Sequence, residues 1–345
     1  MSTSSPVVSF KDVDIVFGEN PQSALPLIDA GKSRQDIQAE TGQILGVAGA
    51  TFDIHEGEVI VLMGLSGSGK STLLRAVNGL NPVIRGEVQV HDGTQYVNPE
   101  TCPPAALRQL RRRRIGMVFQ QFGLLPWRTV SENVGFGLEL AGVSQKDRAA
   151  KVEQQLKLVG LAGWGEKYVH ELSGGMQQRV GLARAFATDA PLLLMDEPFS
   201  ALDPLIRDKL QDELLDLQKE LNRTIIFVSH DLDEAAKIGS RIAIMEGGRV
   251  IQLGTPQEIV RKPATDYVAD FVSHMNPLNV LRARDIMAPP GSLSGSLAGG
   301  LTCDAATPIR EVARLKQSSK DPVVVQRDGA IIGVIGENEL LECML

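Results

Sequence analysis

The stretch VIVLMGLSGSGKSTLLRA, residues Val59–Ala76, sets the architecture. Five apolar residues in a row, Val59–Met63, fill a strand read as Glu58–Met63. Gly64–Ser71 then carries the G-x-x-x-x-G-K-[ST] spacing of a phosphate loop, and a helical pattern runs from Lys70 to Gly79. Strand before and helix after are the context that gives the motif its meaning. Gly64, Leu65, Ser66, Gly67, Ser68 and Gly69 offer backbone N–H groups to phosphates at a helix start, whose dipole favours anions. Lys70 supplies a point charge for the β and γ phosphates, Ser71 a hydroxyl for Mg²⁺, and Thr72 joins the same set of nucleotide contacts.

Outward from this unit, Val7–Phe17, Ile115–Phe119, Leu192–Met195, Ile225–Val228, Ile242–Glu246 and Arg249–Leu253 read as further strands. Helical patterns at Val152–Val159, Met176–Ala187 and Pro204–Leu221 lie between them. Strands alternating with helices predict a parallel-sheet α/β core. A polar, partly helical segment, 19–46, interrupts the pattern after the first strand. The text changes again near Asn276, and Pro289–Gly300 is a Gly/Ser-rich linker by composition. The expected division is therefore a phosphate-loop α/β domain, 1–275, and a small α+β module, 276–345, with the order β-α-β-β-α toward its end. In that module Val323, Val325, Ile331, Val334 and Ile335 form more apolar sheet surface than two short helices can cover, which predicts docking or pairing.

The chain has 345 residues, a formal net charge of −7 and three scattered cysteines, Cys102, Cys303 and Cys343. An acidic chain without a CxxC pair argues against nucleic acid, structural zinc and a disulfide frame. No apolar run approaches the ~18 residues that a spanning helix needs. A soluble protein is expected, with any membrane role exercised through a partner.

LLLMDE, Leu192–Glu197, is an apolar strand ending in two acids. Asp196 at the tip is placed to hold Mg²⁺, and Glu197, one step on, to accept a proton from an attacking water. Gln120 follows another strand, where a neutral amide can reach Mg²⁺ or water. His230 ends a strand at the edge where open α/β sheets bind ligands. Adjacent Ser229, His230 and Asp231 alternate faces and cannot form a catalytic triad. ELSGGMQQR, Glu171–Arg179, offers a second anion-binding helix start at Ser173, Gly174 and Gly175, but without a lysine. The economical arrangement is a two-fold dimer in which these residues close over the nucleotide held by the other chain.

The order of phosphate loop, Gln120, LSGGMQQR, LLLMDE, SALD and His230 resembles the nucleotide-binding subunits of ABC transporters over roughly Val7 to Ser273. That resemblance implies Mg²⁺ and ATP sandwiched in a homodimer, Glu197 as general base, His230 as a γ-phosphate contact, and Asp203 as communicator across the dimer. It also implies Gln177 among the cross-dimer nucleotide contacts. The family stacks adenine on an aromatic ring; Phe17 in VFG, Val16–Gly18, is the candidate. The inserted segment, with RAVNGLNPVIRGEV, FQQFGLLPWRTVSENVGFGLEL and HMNPLNVL, is similar to importers of quaternary amines and closest in text to their choline branch, with glycine betaine/proline betaine import as the alternative. The implied partners are transmembrane permease subunits and, indirectly, a periplasmic choline/betaine-binding protein, at the cytoplasmic face of the bacterial inner membrane. Trp127 would suit a socket for a permease helix, and Arg111–Arg114 reads as a solvated helix end. The C-terminal module resembles a single cystathionine-β-synthase-type (CBS-like) unit through LRARDIM, TPIREVARL and DPVVVQRDGAIIGVIGENELL. Gly336 and Glu339 stand where the adenosine-binding variants carry Thr or Ser and then Asp. A non-transport ABC ATPase or a sensor is the competing class; neither a second nucleotide domain nor a coiled-coil insertion supports the first, and intact Lys70, Glu197 and His230 argue against the second.

Overall fold

The computed structural model describes residues 5–273, 275–290, 301–317 and 321–343. They divide into two compact units, 1–230 with 243–251, and 231–242 with 252–345. The expected boundary at 275/276 falls inside the second unit. Most of the expected linker, residues 291–300, lies outside the described residues.

The first unit is built on a six-stranded sheet in the order Arg249–Gly254, Arg241–Glu246, Val59–Met63, Thr224–Val228, Leu192–Asp196, Ile115–Val118. The three central strands are apolar runs with every residue buried. They run parallel, with Leu62 opposite Val228 and Val228 opposite Asp196. This register brings three strand ends, followed by Gly64, Glu197 and His230, to one edge of the sheet, where ligands of such sheets bind.

A second, antiparallel sheet has the order Ile44–Ile54, Val8–Phe17, Arg85–His91, Tyr96–Val97. Val8–Phe17 apart, its strands are not among those read from the sequence, and Tyr96–Val97 is too short to signal. Arg85–His91 buries only Val88 and Val90, too short an apolar alternation to announce a strand by itself. Ile44–Ile54 starts inside the inserted segment, pairing Ile44 with Phe17. The rest of the insertion holds two short helices, Leu25–Asp29 and Arg34–Thr41. Three further helices, Val130–Leu140, Gln145–Leu158 and Gly174–Ala187, form the helical part. Val152–Val159 marks only the end of the second, because its first turns are polar. The helix after the phosphate loop stops at Ala76, short of the expected Gly79.

In the second unit the strands Thr302–Asp304, Val323–Arg327 and Ala330–Ile335 form one sheet beside the helices Ile309–Gln317 and Glu337–Glu342, in the expected order. The uncovered face does not materialise. Val323, Val325, Val334 and Ile335 are fully buried, and Ile331 alone of the five is exposed. The missing cover comes from upstream: Leu278, Leu281, Ala283, Ile286 and Met287 join the apolar cluster of the module. Gly333 lets Met287 approach, since a Cβ there would stand 2.5 Å from the Met287 sulfur. The three cysteines are free. Among the described residues no helix is long and apolar enough to cross a membrane.

Candidate functional site

The phosphate loop is a tight cradle that two glycines make possible. Gly64 and Gly69 have φ of 141° and 102°. A Cβ at Gly64 would stand 2.1 Å from the Met245 carbonyl oxygen, and one at Gly69 2.3 Å from that of Gly46. Lys70 folds back over the loop and donates to the carbonyls of Gly64 (2.8 Å) and Leu65 (3.0 Å). Burial holds its ammonium below the ordinary lysine range, while the charges of Glu197 and Asp196 pull the other way. A cation poorly served by water is primed for an anion. The Ser68 hydroxyl is buried without a hydrogen-bond partner in the protein, as expected of a group that a ligand or water completes.

Ser71 and Asp196 meet although 125 residues separate them: the hydroxyl donates to Oδ1 at 2.6 Å. Asp196 is fully buried, and Arg75 donates to its other oxygen at 2.8 Å. Gln120 lines the same cleft. Hydroxyl, carboxylate and amide oxygen are the hard donors that suit Mg²⁺ with water completing its shell.

Glu197 follows the strand Leu192–Asp196 in the left-handed region, φ 49°. A non-glycine residue there is strained unless its surroundings fix it. Four bonds do so: its N–H donates to the Val228 carbonyl (3.2 Å), and its own carbonyl accepts from Gln178 and the Ser200 hydroxyl, both at 3.1 Å, and from the Ser200 N–H at 3.4 Å. Gln178 is buried, and its amide oxygen takes the Ala201 N–H at 2.9 Å. This amide clamps the turn after the strand. The Glu197 carboxylate is thereby aimed into the cleft, 3.5 Å from Nδ1 of His230, whose ring is largely exposed.

The cleft, about 470 Å³, collects Phe17, Ser66, Gly67, Gly69–Thr72, Gln120, Glu197 and His230. Gly46 is small for a reason: a Cβ there would lie 2.9 Å from both the Phe17 ring and the Thr72 methyl. Two lining residues escape the sequence reading, Gly46 and Arg34, both of the inserted segment. Gln178 escapes it too, because a glutamine inside a helix carries no local signal of what its amide will clamp.

Ser173, Gly174, Gly175, Gln177 and Asp203 do not line this cleft. Ser173 caps the helix Gly174–Ala187 by accepting from Met176 N–H at 3.4 Å. Gln177 turns back to the carbonyls of Val169 (3.1 Å) and Leu172 (3.2 Å). Asp203 caps the helix Pro204–Leu221 through Ile206 N–H at 3.1 Å. A larger groove, about 580 Å³, lies among the helices near Glu132, Glu139, Arg148 and Leu156, and contains none of the phosphate-binding groups.

The family model described as ABC transporter matches residues 47–200. The glycine betaine/proline betaine transport system ATP-binding protein ProV of Escherichia coli (strain K12) is 50% identical over 279 residues, covering 81% of this chain and 69% of that protein. The choline transport ATP-binding protein OpuBA of Bacillus subtilis (strain 168) is 42% identical over 227 residues, covering 66% of this chain and 58% of that protein. Among solved structures, a dimeric ATP-binding cassette in a post-hydrolysis state, bound to ADP and Pi, superposes with a TM-score of 0.62 at 30% identity, over 72% of this chain and 98% of that one.

Proposed function

The chain belongs to the ATP-binding subunits of quaternary-amine ABC importers, and on that premise we propose that it works as a two-fold dimer that hydrolyses ATP to drive uptake through membrane-embedded permease subunits. The observation that carries this reading is the cleft itself, lined by Lys70, by Ser71 with Asp196 bonded behind it, and by the clamped Glu197. The phosphate loop and Lys70 hold the β and γ phosphates. Ser71, Asp196 and Gln120 hold Mg²⁺, which when bound neutralises phosphate charge. Glu197 takes the proton of the attacking water, and His230 contacts the γ phosphate. Phe17 carries the adenine on its ring face.

Ser173, Gly174 and Gly175, with Gln177 and Asp203 behind them, complete the cleft of the opposite chain. The exposure of Ser173 and its place at a helix start support this, because an unused anion-binding end needs a phosphate from elsewhere. Trp127, 71% exposed, serves the permease contact. Such an assembly sits at the cytoplasmic face of the inner membrane as a peripheral subunit, with a periplasmic choline/betaine-binding protein as its indirect partner. Residues 276–345 form a CBS-like module attached to an ATPase domain, 1–275; an apolar cluster whose fully buried members all lie between Leu281 and Leu340 supports a separate module.

The solute is choline or a related quaternary amine. Similarity of text favours choline, whereas the higher identity to ProV favours glycine betaine or proline betaine. Reconstitution with the permease in vesicles decides between them: ATP-driven accumulation of labelled choline, with glycine betaine and proline betaine as competitors, ranks the three. ATP turnover unaffected by any of them, with no solute accumulated, would refute the importer reading.

A further inference from the structure

The inserted segment has its own scaffold. At its base the Asn20 N–H donates to Oε1 of Gln43 at 3.1 Å, tying entry to exit. Ala24, Ile28 and Ile37 bury themselves against Val16, Leu45 and Ala48. Asp29 pairs with Arg85 through two bonds of 3.0 and 2.7 Å, and Arg249 donates to the Ile28 carbonyl at 3.2 Å. A surface loop needs none of this.

The second helix of the insertion is fixed at its first turn. Ser33 accepts from the Asp36 N–H at 3.1 Å, and Asp36 accepts from the Ser33 N–H at 3.3 Å, a reciprocal capping box. Arg34 is the first helical residue, between that cap and fully buried Ile37. Its guanidinium donates to the carbonyl of Gly67, at the centre of the phosphate loop, and lines the cleft. Lys70 and Arg34 are the cations of that lining, and Lys70 is half engaged by loop carbonyls.

We propose that Arg34 is a second cationic contact to the phosphates of the nucleotide, delivered by the inserted segment; this rests on the cleft being the ATP site. A guanidinium has five donors in a planar fork, so one bond to Gly67 leaves others for phosphate oxygens. The capped backbone and the bond to Gly67 already hold the side chain over the loop, which lowers the freedom lost on binding.

The test measures affinity of the full-length chain for ATP, ADP and a fluorescent adenosine without phosphates, for Arg34→Ala, Arg34→Lys and Lys70→Ala. With Arg34→Ala, ATP affinity falls about ten- to a hundredfold, the scale of a charge-assisted hydrogen bond. Adenosine binding and the melting temperature stay put, and Arg34→Lys recovers part of the loss. ATP affinity within twofold of wild type in Arg34→Ala, while Lys70→Ala loses it, overturns the proposal and leaves the site intact. An equal fall for ATP and adenosine in both Arg34 variants also overturns it, since that marks a structural role. Undiminished ATP binding by Lys70→Ala would instead remove the site on which the proposal stands.

Discussion

The Glu197 carboxylate lies 3.5 Å from Nδ1 of His230, two residues brought together from the ends of neighbouring parallel strands. The pair faces the same cleft as Lys70. An acid and an imidazole in that relation can divide the work on an attacking water and the phosphate it attacks.

Glu197→Gln keeps the shape of the side chain and removes its ability to accept a proton. ATP binding should persist while turnover falls by roughly 10²–10⁴-fold, the usual contribution of a general base. Phosphate release under saturating ATP checks it; a rate within threefold of wild type removes Glu197 from the role of base.

Gln178→Leu breaks the clamp on the Glu197 turn. The Ala201 N–H loses its partner, and the carbonyl of Glu197 keeps the Ser200 hydroxyl and N–H but not the amide. Losing these part-buried hydrogen bonds costs about 1 kcal/mol, so the denaturation midpoint should drop. Turnover should fall more than ATP affinity, because the loosened turn misplaces Glu197 and spares the phosphate loop. Equal loss of both would assign Gln178 a purely structural part.

Phe17→Ala separates stacking from phosphate binding. The ring lines the cleft beside Gly46. ATP affinity should weaken about three- to tenfold, in line with the ~0.5–1.5 kcal/mol of an aromatic stack. Competition by inorganic triphosphate should be unchanged. A variant that loses both equally shows that Phe17 supports the loop and does not hold the base.

These sites differ in how legible they are. Gly64–Ser71 and Leu192–Glu197 can be read directly, because an uninterrupted apolar strand ending in a glycine-rich turn or in paired acids leaves few alternatives. The helix Pro204–Leu221 is equally plain, bracketed by Asp203 as cap and Asn222 in the left-handed region. Arg34 has no such signal: it reaches the loop only because Ile37 and Ile28 find a core with Val16 and Leu45. The strand Ile44–Ile54 hides for a related reason, since its partner Val8–Phe17 lies across the insertion. The cover over Val323 and Ile335 comes from residues 278–287, short helical turns whose sequence shows no period at all.

The cross-chain role of Ser173 can be isolated from its role in its own helix. Ser173→Ala would lose the cap to Met176, at a cost of about 1 kcal/mol, and so confuses the two. Ser173→Asp keeps a capping oxygen and adds a negative charge, which a helix start tolerates well. The fold and the ATP affinity of the single chain should therefore be preserved. Across a dimer, the same carboxylate would face the γ phosphate held by the other chain and repel it. In a Glu197→Gln background, where bound ATP is not consumed, the parent should elute as a dimer with Mg²⁺ and ATP, and the Ser173→Asp double variant as a monomer. Dimer elution of both at the same nucleotide concentration would show that Ser173 does not meet the partner's nucleotide.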